Sequence, residues 1–171
     1  SDLVDHVKAH IHGAGLCVDQ DFGTFFPAIA MVVSGGHTNL YYMKSPTDYD
    51  LLGATIDDAC GECFDKVAKM FGYPYPGGPI IERLAKDGNA DKYKMPKMMS
   101  TPKIQFSYSG LKTHILYLKK QLNRELSENE LGDIFASFQE EALGQLLRKC
   151  HLAVSKYPNI KSIILAGGVA I

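Results

Sequence analysis

The amino-acid sequence predicts an α/β fold, a mixed sheet with flanking helices, from three observations. Runs rich in β-branched, aromatic and other apolar residues at 27–33, 37–43 and 161–166 read as strands. Between them, apolar residues recur at helical spacing from Ile56 to Met70 and through a long stretch beginning at Ser127. Glycine and proline clusters punctuate these segments at 34–36, 72–79 and 167–168, where the chain must turn.

In chain order, residues 3–12 read as a short helix or helix end, closed by Gly13 and Gly15. The strands at 27–33 and 37–43 flank Ser34-Gly35-Gly36, a turn runs from Pro46 to Tyr49, and Leu51-Leu52 ends a third short strand. Thr55 reads as an N-cap, with Asp57 and Asp58 in the first turn where the helix dipole favours acids. Gly72 ends that helix, and Tyr73-Pro74-Tyr75-Pro76-Gly77-Gly78-Pro79 forms a loop whose prolines fix φ. A second helix spans about 79–86. Residues 89–105 are polar, irregular and bear Lys and Met, a surface excursion suited to a partner or RNA. The hydroxyl-rich segment 106–113 enters a helix to about Asn123, and Ser127 with Glu130 forms a capping box for a helix to about Tyr157.

Hydrophobic residues make up 46% of the 171 and charged residues 22%, a composition that fits one domain with a sizeable core. The net charge of −1 provides no global field for nucleic acid, so RNA contact requires a local patch or a partner subunit. Four unevenly spaced cysteines do not make a disulfide scaffold and fit a reducing compartment, the cytoplasm or an organellar matrix. No run reaches transmembrane length. The chain lacks an initiating Met and stops at Ile171 just after a strand-and-glycine segment, which we read as a fragment of a larger protein.

Several constellations carry chemistry. Successive N–H groups at Ser34-Gly35-Gly36 form an anion nest to which Ser34 and Thr38 add hydroxyls; an ordinary hairpin turn explains the same residues. His6 and His10 stand four apart, which on a helix places their Cβ atoms roughly 5–6 Å apart, as two ligands of one metal require or as two ordinary surface histidines happen to be. No glutamate follows the first histidine, so a zincin-type peptidase is excluded. Cys60 and Cys63 form a CxxC but occupy apolar helix positions, and are read as small core residues. Asp57, Asp58, Glu62 and Asp65 make an acidic helix face, either solvated or supplying a carboxylate to ligand hydroxyls. Ser107, Ser109, Lys112 and Thr113 suit either a phosphate or an N-capping turn. Gly167-Gly168 suits close approach of a flat ligand such as an adenine.

In combination and in order these segments resemble one family. His6-Val7-Lys8-Ala9-His10 is similar to the HMEAH motif of the TsaD family of tRNA adenosine threonylcarbamoyltransferases, once called glycoproteases. Val33-Ser34-Gly35-Gly36-His37-Thr38-Asn39-Leu40 resembles its VSGGHTQL, and residues 52–66 resemble LGETLDDAAGEAFDK. Tyr75–Pro79, Phe106–Thr113 and Leu165–Val169 match three more blocks, so the resemblance spans essentially the whole chain.

The resemblance implies a partial actin-like, sugar-kinase-like fold: residues 1–26 end an N-terminal lobe with the metal-binding helix, and 27–171 form an incomplete C-terminal lobe with a helical insertion. It implies transfer of a threonylcarbamoyl group from threonylcarbamoyl-AMP to N6 of adenosine 37 in tRNA. His6 and His10 would hold one divalent metal ion, Fe2+ or Zn2+, with a third protein ligand outside this chain. Val33, Ser34, Gly35, Gly36 and His37 would line the phosphate region, Asp65 would hold the ribose, and Gly78 and Glu82 would lie near the nucleoside. Partners would include a TsaB-like paralogue and a TsaE-like ATPase. Glu82 stands where many relatives have Asp, and Val7 and Lys8 replace Met-Glu without changing the histidine spacing. By this comparison half the cleft lies outside the chain, and the fragment itself is expected to be inactive. A non-catalytic paralogue and an ATP-using kinase or ATPase of the same fold are the alternatives.

Overall fold

A computed structural model describes residues 25–167. The expected helix at 3–12, His6, His10 and Gly168 therefore lie outside the described residues.

Three strands, β1 (Ala28–Val33), β2 (Thr38–Met43) and β3 (Tyr49–Ala54), form an antiparallel meander, and β4 (Ser162–Ala166) adds parallel to β1, giving the order β3-β2-β1-β4. The sheet is mixed, as the sequence predicts. Every residue of β1 is buried, because this strand is hydrogen-bonded on both sides and covered on both faces. Its alternation sorts the faces: Ile29, Met31 and Val33 join the main core, while Ala28 and Ala30 pack with Phe26 and Met43 in a smaller cluster behind the sheet.

Four helices supply the rest of the main core: α1 (Cys60–Met70), α2 (Gly78–Ala85), α3 (Ser109–Leu122) and α4 (Glu128–Lys156). The apolar stripe of α1, Cys60, Cys63, Phe64, Val67 and Ala68, is buried in the same core as Ile134, Phe135 and Phe138 of α4, with the Phe64 and Phe138 rings 4.8 Å apart. Gly72, at φ 84°, ends α1 in the left-handed conformation that glycine adopts without penalty. α4 begins with the predicted capping box: Glu130 N–H donates to Ser127 Oγ at 3.2 Å, and Ser127 N–H to Glu130 Oε1 at 3.3 Å.

α2 and α4 cross through glycines. A Cβ at Gly88, just beyond α2, would lie 2.1 Å from the Gly132 carbonyl oxygen, and one at Gly132 would lie 2.5 Å from that of Leu84. The backbones thus touch directly.

The helix beginning at Thr55 is corrected. α1 starts at Cys60, and Thr55 instead ends β3's run, its hydroxyl donating to the Asp58 carbonyl at 2.7 Å. Ile56 N–H donates to Phe106 O and Phe106 N–H to Ala54 O, so residues 54–56 continue the sheet beside the strand-like residue Phe106. That non-local pairing outcompetes the local capping preference of Thr55.

Candidate functional site

The Ser34–His37 segment is a hairpin turn. Ser34 N–H donates to the His37 carbonyl at 2.8 Å, and His37 N–H donates to Ser34 Oγ at 3.0 Å. The two readings of this turn are compatible, because its tip is exposed and among the described residues the N–H groups of Gly35 and Gly36 make no hydrogen bond. A Cβ at either glycine would meet nothing within 4 Å, so the tip has room for a ligand. The expected hydroxyl donors are otherwise engaged. Ser34 Oγ serves His37, and buried Thr38 turns inward, its Oγ1 accepting from Cys60 N–H at 2.8 Å. Thr38 is thus the side-chain cap that α1 lacks locally, because the Ala59 side chain has no oxygen to offer.

The hairpin sits on the start of α1. Gly61 N–H donates to the Ser34 carbonyl at 3.3 Å, and a Cβ at Gly61 would stand 2.8 Å from that oxygen and 2.9 Å from Gly35 Cα. One helical turn further, Asp65 Oδ1 accepts from Gly77 N–H at 2.8 Å. A Cβ at Gly77 would be 2.6 Å from Ala68 Cβ and 2.9 Å from Asp65 Cα. Gly61, Asp65 and Ala68 follow one another on a single face of α1, so this face gathers both glycine turns. Gly78 opens α2, with open space where its side chain would be. Glu82 is exposed further along α2 and lines a different recess, of about 800 Å³ between α2 and α4, with Arg83, Lys86 and Glu140.

The acids expected on one helix face diverge. Glu62 pairs with Lys66, and Asp58 bridges Lys66 at 3.1 Å and Lys112 at 2.6 Å. Asp57 reaches α3, where it accepts from Tyr108 N–H (2.7 Å), Ser109 N–H (3.2 Å), Ser107 Oγ (2.6 Å) and Ser109 Oγ (2.7 Å). The hydroxyl-rich turn is therefore a capping site filled by Asp57, and the Ser107, Ser109 and Lys112 side chains that suited a phosphate are committed to Asp57 and Asp58. Ser107 is fixed again from α4, where buried Gln145 accepts from its N–H at 2.7 Å and donates to its carbonyl at 2.8 Å. Gly167, at φ 126°, likewise serves the fold: its absent Cβ lets it close on the Val33 carbonyl.

Burial opposes ionisation of Asp57, but the hydrogen bonds from Ser107, Tyr108 and Ser109 together hold its pKa below 3.8. A depressed acid stabilises the fold above its unfolded pKa, and the contribution fades as pH falls through the lower folded value. Asp57→Asn is expected to cost about 1–2 kcal/mol at pH 7, since the amide cannot accept from every donor. The gap to the parent protein should narrow as pH falls below the ordinary aspartate range and through the lowered folded value. Urea midpoints measured across pH 2–7 check this; a pH-independent gap would contradict it.

Cys60 and Cys63 are fully buried, as expected of core residues. Desolvation pushes the Cys60 thiol up to about 12 and raises that of Cys63 further, so neither is a ready thiolate. Among the described residues no group of three His, Cys, Asp or Glu side chains is arranged to hold a metal ion. Sequence reasoning missed the roles of Gly61, Thr38 and Gln145, whose signals are tertiary contacts.

A mixed sheet with flanking helices, its glycine turns gathered along one helix, places the protein in the α/β class. A family model described as TsaD, tRNA N6-adenosine threonylcarbamoyltransferase, matches residues 3–171, and the chain belongs to this family, whose fold is actin-like and sugar-kinase-like. Relatives named tRNA N6-adenosine threonylcarbamoyltransferase include proteins from Mycoplasma capricolum and Dictyoglomus turgidum. Each is 42% identical over 167 residues, covering 98% of this chain and 51% and 48% of the relative. A Protochlamydia amoebophila protein of the same name is 44% identical over 173 residues, covering 97% of this chain and 49% of its own. The chain thus spans about half the length of the curated relatives it matches. Among the described residues no helix is long and apolar enough to cross a membrane.

Proposed function

We propose that the protein to which this chain belongs transfers a threonylcarbamoyl group from threonylcarbamoyl-AMP to N6 of adenosine 37 in tRNA, and that this chain supplies one wall of the adenylate site. The observation that carries the reading is the convergence on α1: an exposed hairpin tip with two unengaged N–H groups, and one turn away an aspartate beside a second glycine turn. The names of the relatives give the reaction class. Residues 27–171 belong to one lobe and 1–26 end the other.

In this reading N6 of the adenosine attacks the carbamoyl carbon, the C–N bond forms, and the C–O bond to the phosphate breaks. N6 loses a proton, and AMP departs with the bonding electron pair. The N–H groups of Gly35 and Gly36 would stabilise charge on that phosphate, with Val33, Ser34 and His37 shaping the turn. Asp65, fixed through Oδ1, offers Oδ2 to the ribose hydroxyls, and Gly78 leaves room beside it. The leaving group is good, so orientation outweighs base strength. His6 and His10 would give two of the ligands of a divalent iron or zinc ion, which supplies Lewis-acid chemistry to the threonylcarbamoyl end. A TsaB-like paralogue and a TsaE-like ATPase are the expected partners. Glu82, exposed on α2 one turn after Gly78, is the proposed nucleoside contact on that helix.

The test is nucleoside mass spectrometry of tRNA incubated with the full-length protein, its partners and threonylcarbamoyl-AMP. Formation of N6-threonylcarbamoyladenosine is expected. Its absence with every component present would refute the assignment.

A further inference from the structure

We propose that Tyr75 is a stacking platform for a nucleobase of the RNA substrate, next to the base that reacts; this rests on the reading above. Tyr75 is 82% exposed, the most open of the large apolar residues among those described. A single exposed apolar side chain is unremarkable. Tyr75 differs because the chain on both sides of it is tied down while its ring has no partner.

On one side Tyr73 N–H donates to the Ala68 carbonyl at 3.1 Å, and the Tyr73 ring lies edge-on to Phe135 at 6.4 Å. On the other, Gly77 N–H is held by Asp65. Pro74 and Pro76 flank the tyrosine and fix φ at both neighbours. The ring is thus carried on a short, doubly anchored loop and projects into solvent, and among the described residues it makes no ring contact or hydrogen bond.

Its position gives the partner. Tyr75 is two residues from Gly77, which is clamped to Asp65 beside the hairpin tip, so the ring stands at the rim of the candidate adenylate site. A base delivered there as part of a polynucleotide arrives with neighbours only one nucleotide away, and an unstacked neighbour needs a flat surface. Rigid aromatic side chains meet that need at small entropic cost and without sequence demands. The same helix that starts at Gly78 then presents exposed Arg83 and Lys86, which have no carboxylate within 4.0 Å among the described residues and suit flanking phosphates. An RNA fits this rim better than a protein partner, which would need a wider apolar surface around the ring.

The experiment compares Tyr75→Ala, Tyr75→Phe and Tyr75→Trp in the full-length protein with its partners. Two readouts are taken: steady-state transfer with tRNA and threonylcarbamoyl-AMP varied separately, and direct binding of tRNA without the second substrate. Tyr75→Ala is expected to raise KM and Kd for tRNA about 5- to 100-fold, leaving KM for threonylcarbamoyl-AMP within about 2-fold. Tyr75→Phe and Tyr75→Trp should stay within about 3-fold of the parent, because both keep a ring. Unchanged tRNA binding in Tyr75→Ala would overturn the proposal, as would a Phe variant as weak as the Ala variant. An equal loss for both substrates would also overturn it, pointing to a collapsed loop. Direct binding separates this proposal from the transfer reaction: a protein without transferase activity whose RNA affinity still follows the ring refutes the reaction, not the platform.

Discussion

Replacing Asp65 with alanine is expected to lower transfer by the full-length protein about 100-fold or more, with a much smaller change in thermal stability. Two losses coincide. Gly77 N–H loses the acceptor at 2.8 Å that pins the second glycine turn, and the proposed ribose loses its carboxylate. A displacement of about 1 Å in a positioning element is worth about 10²-fold by itself. Asp65→Asn separates the two effects, because its amide oxygen still accepts from Gly77 while the charge is gone. It should fall about 10-fold, chiefly in KM for threonylcarbamoyl-AMP. Steady-state transfer at saturating tRNA is the measurement. An asparagine variant with parental kinetics would reduce Asp65 to a loop anchor and remove it from the site.

The second large effect concerns two glycines of the same helix. Alanine in a helix interior is favoured over glycine by about 0.8–1.0 kcal/mol, so both Gly132→Ala and Gly144→Ala begin with that gain. At Gly144 the new methyl would meet only the mobile end of Arg148, at 3.3 Å, and the gain should survive as about 0.5–1 kcal/mol of added stability. At Gly132 it would stand 2.5 Å from the Leu84 carbonyl oxygen, a backbone atom that moves only if α2 moves. Overpacking of this kind costs about 1–3 kcal/mol, which outweighs the propensity gain. Gly132→Val, with two further methyls, should lose about 3 kcal/mol or more. Urea unfolding of the three variants checks the opposite signs. Because α2 carries Gly78 at its first residue, the Gly132 variants should also raise KM for threonylcarbamoyl-AMP, which Gly144→Ala should leave unchanged.

The comparison of Gly132 with Gly144 also shows where reading the sequence stops. Both are glycines in one helical pattern, and nothing local distinguishes them. The strands about Ser34-Gly35-Gly36, the capping box at Ser127, the glycine end of α1 and the buried nature of Cys60 and Cys63 are local or periodic signals, and each is where the sequence puts it. The start of α1 is not. Thr55 is a good cap in isolation, but the sheet claims residues 54–56 through Phe106, about fifty residues on, and the helix is capped instead by Thr38 from β2. The acids after Thr55 were equally ambiguous, since a row of carboxylates has the same spacing whether it faces solvent, a ligand or another helix. Only the packing of α3 against α1 makes Asp57 a cap and leaves Asp65 toward the second glycine turn.

By itself the sequence determined the α/β class, most element boundaries and the family, because periodicity, turn residues and motif order are properties of the chain alone. Tertiary structure alone decided which hydroxyls, amides and carboxylates remain available. A polar group is spent or free according to its partner in space, and here those partners lie 12 to 52 residues away. That is why Thr38, Ser107 and Ser109 are structural, while the N–H groups of Gly35 and Gly36 make no hydrogen bond among the described residues.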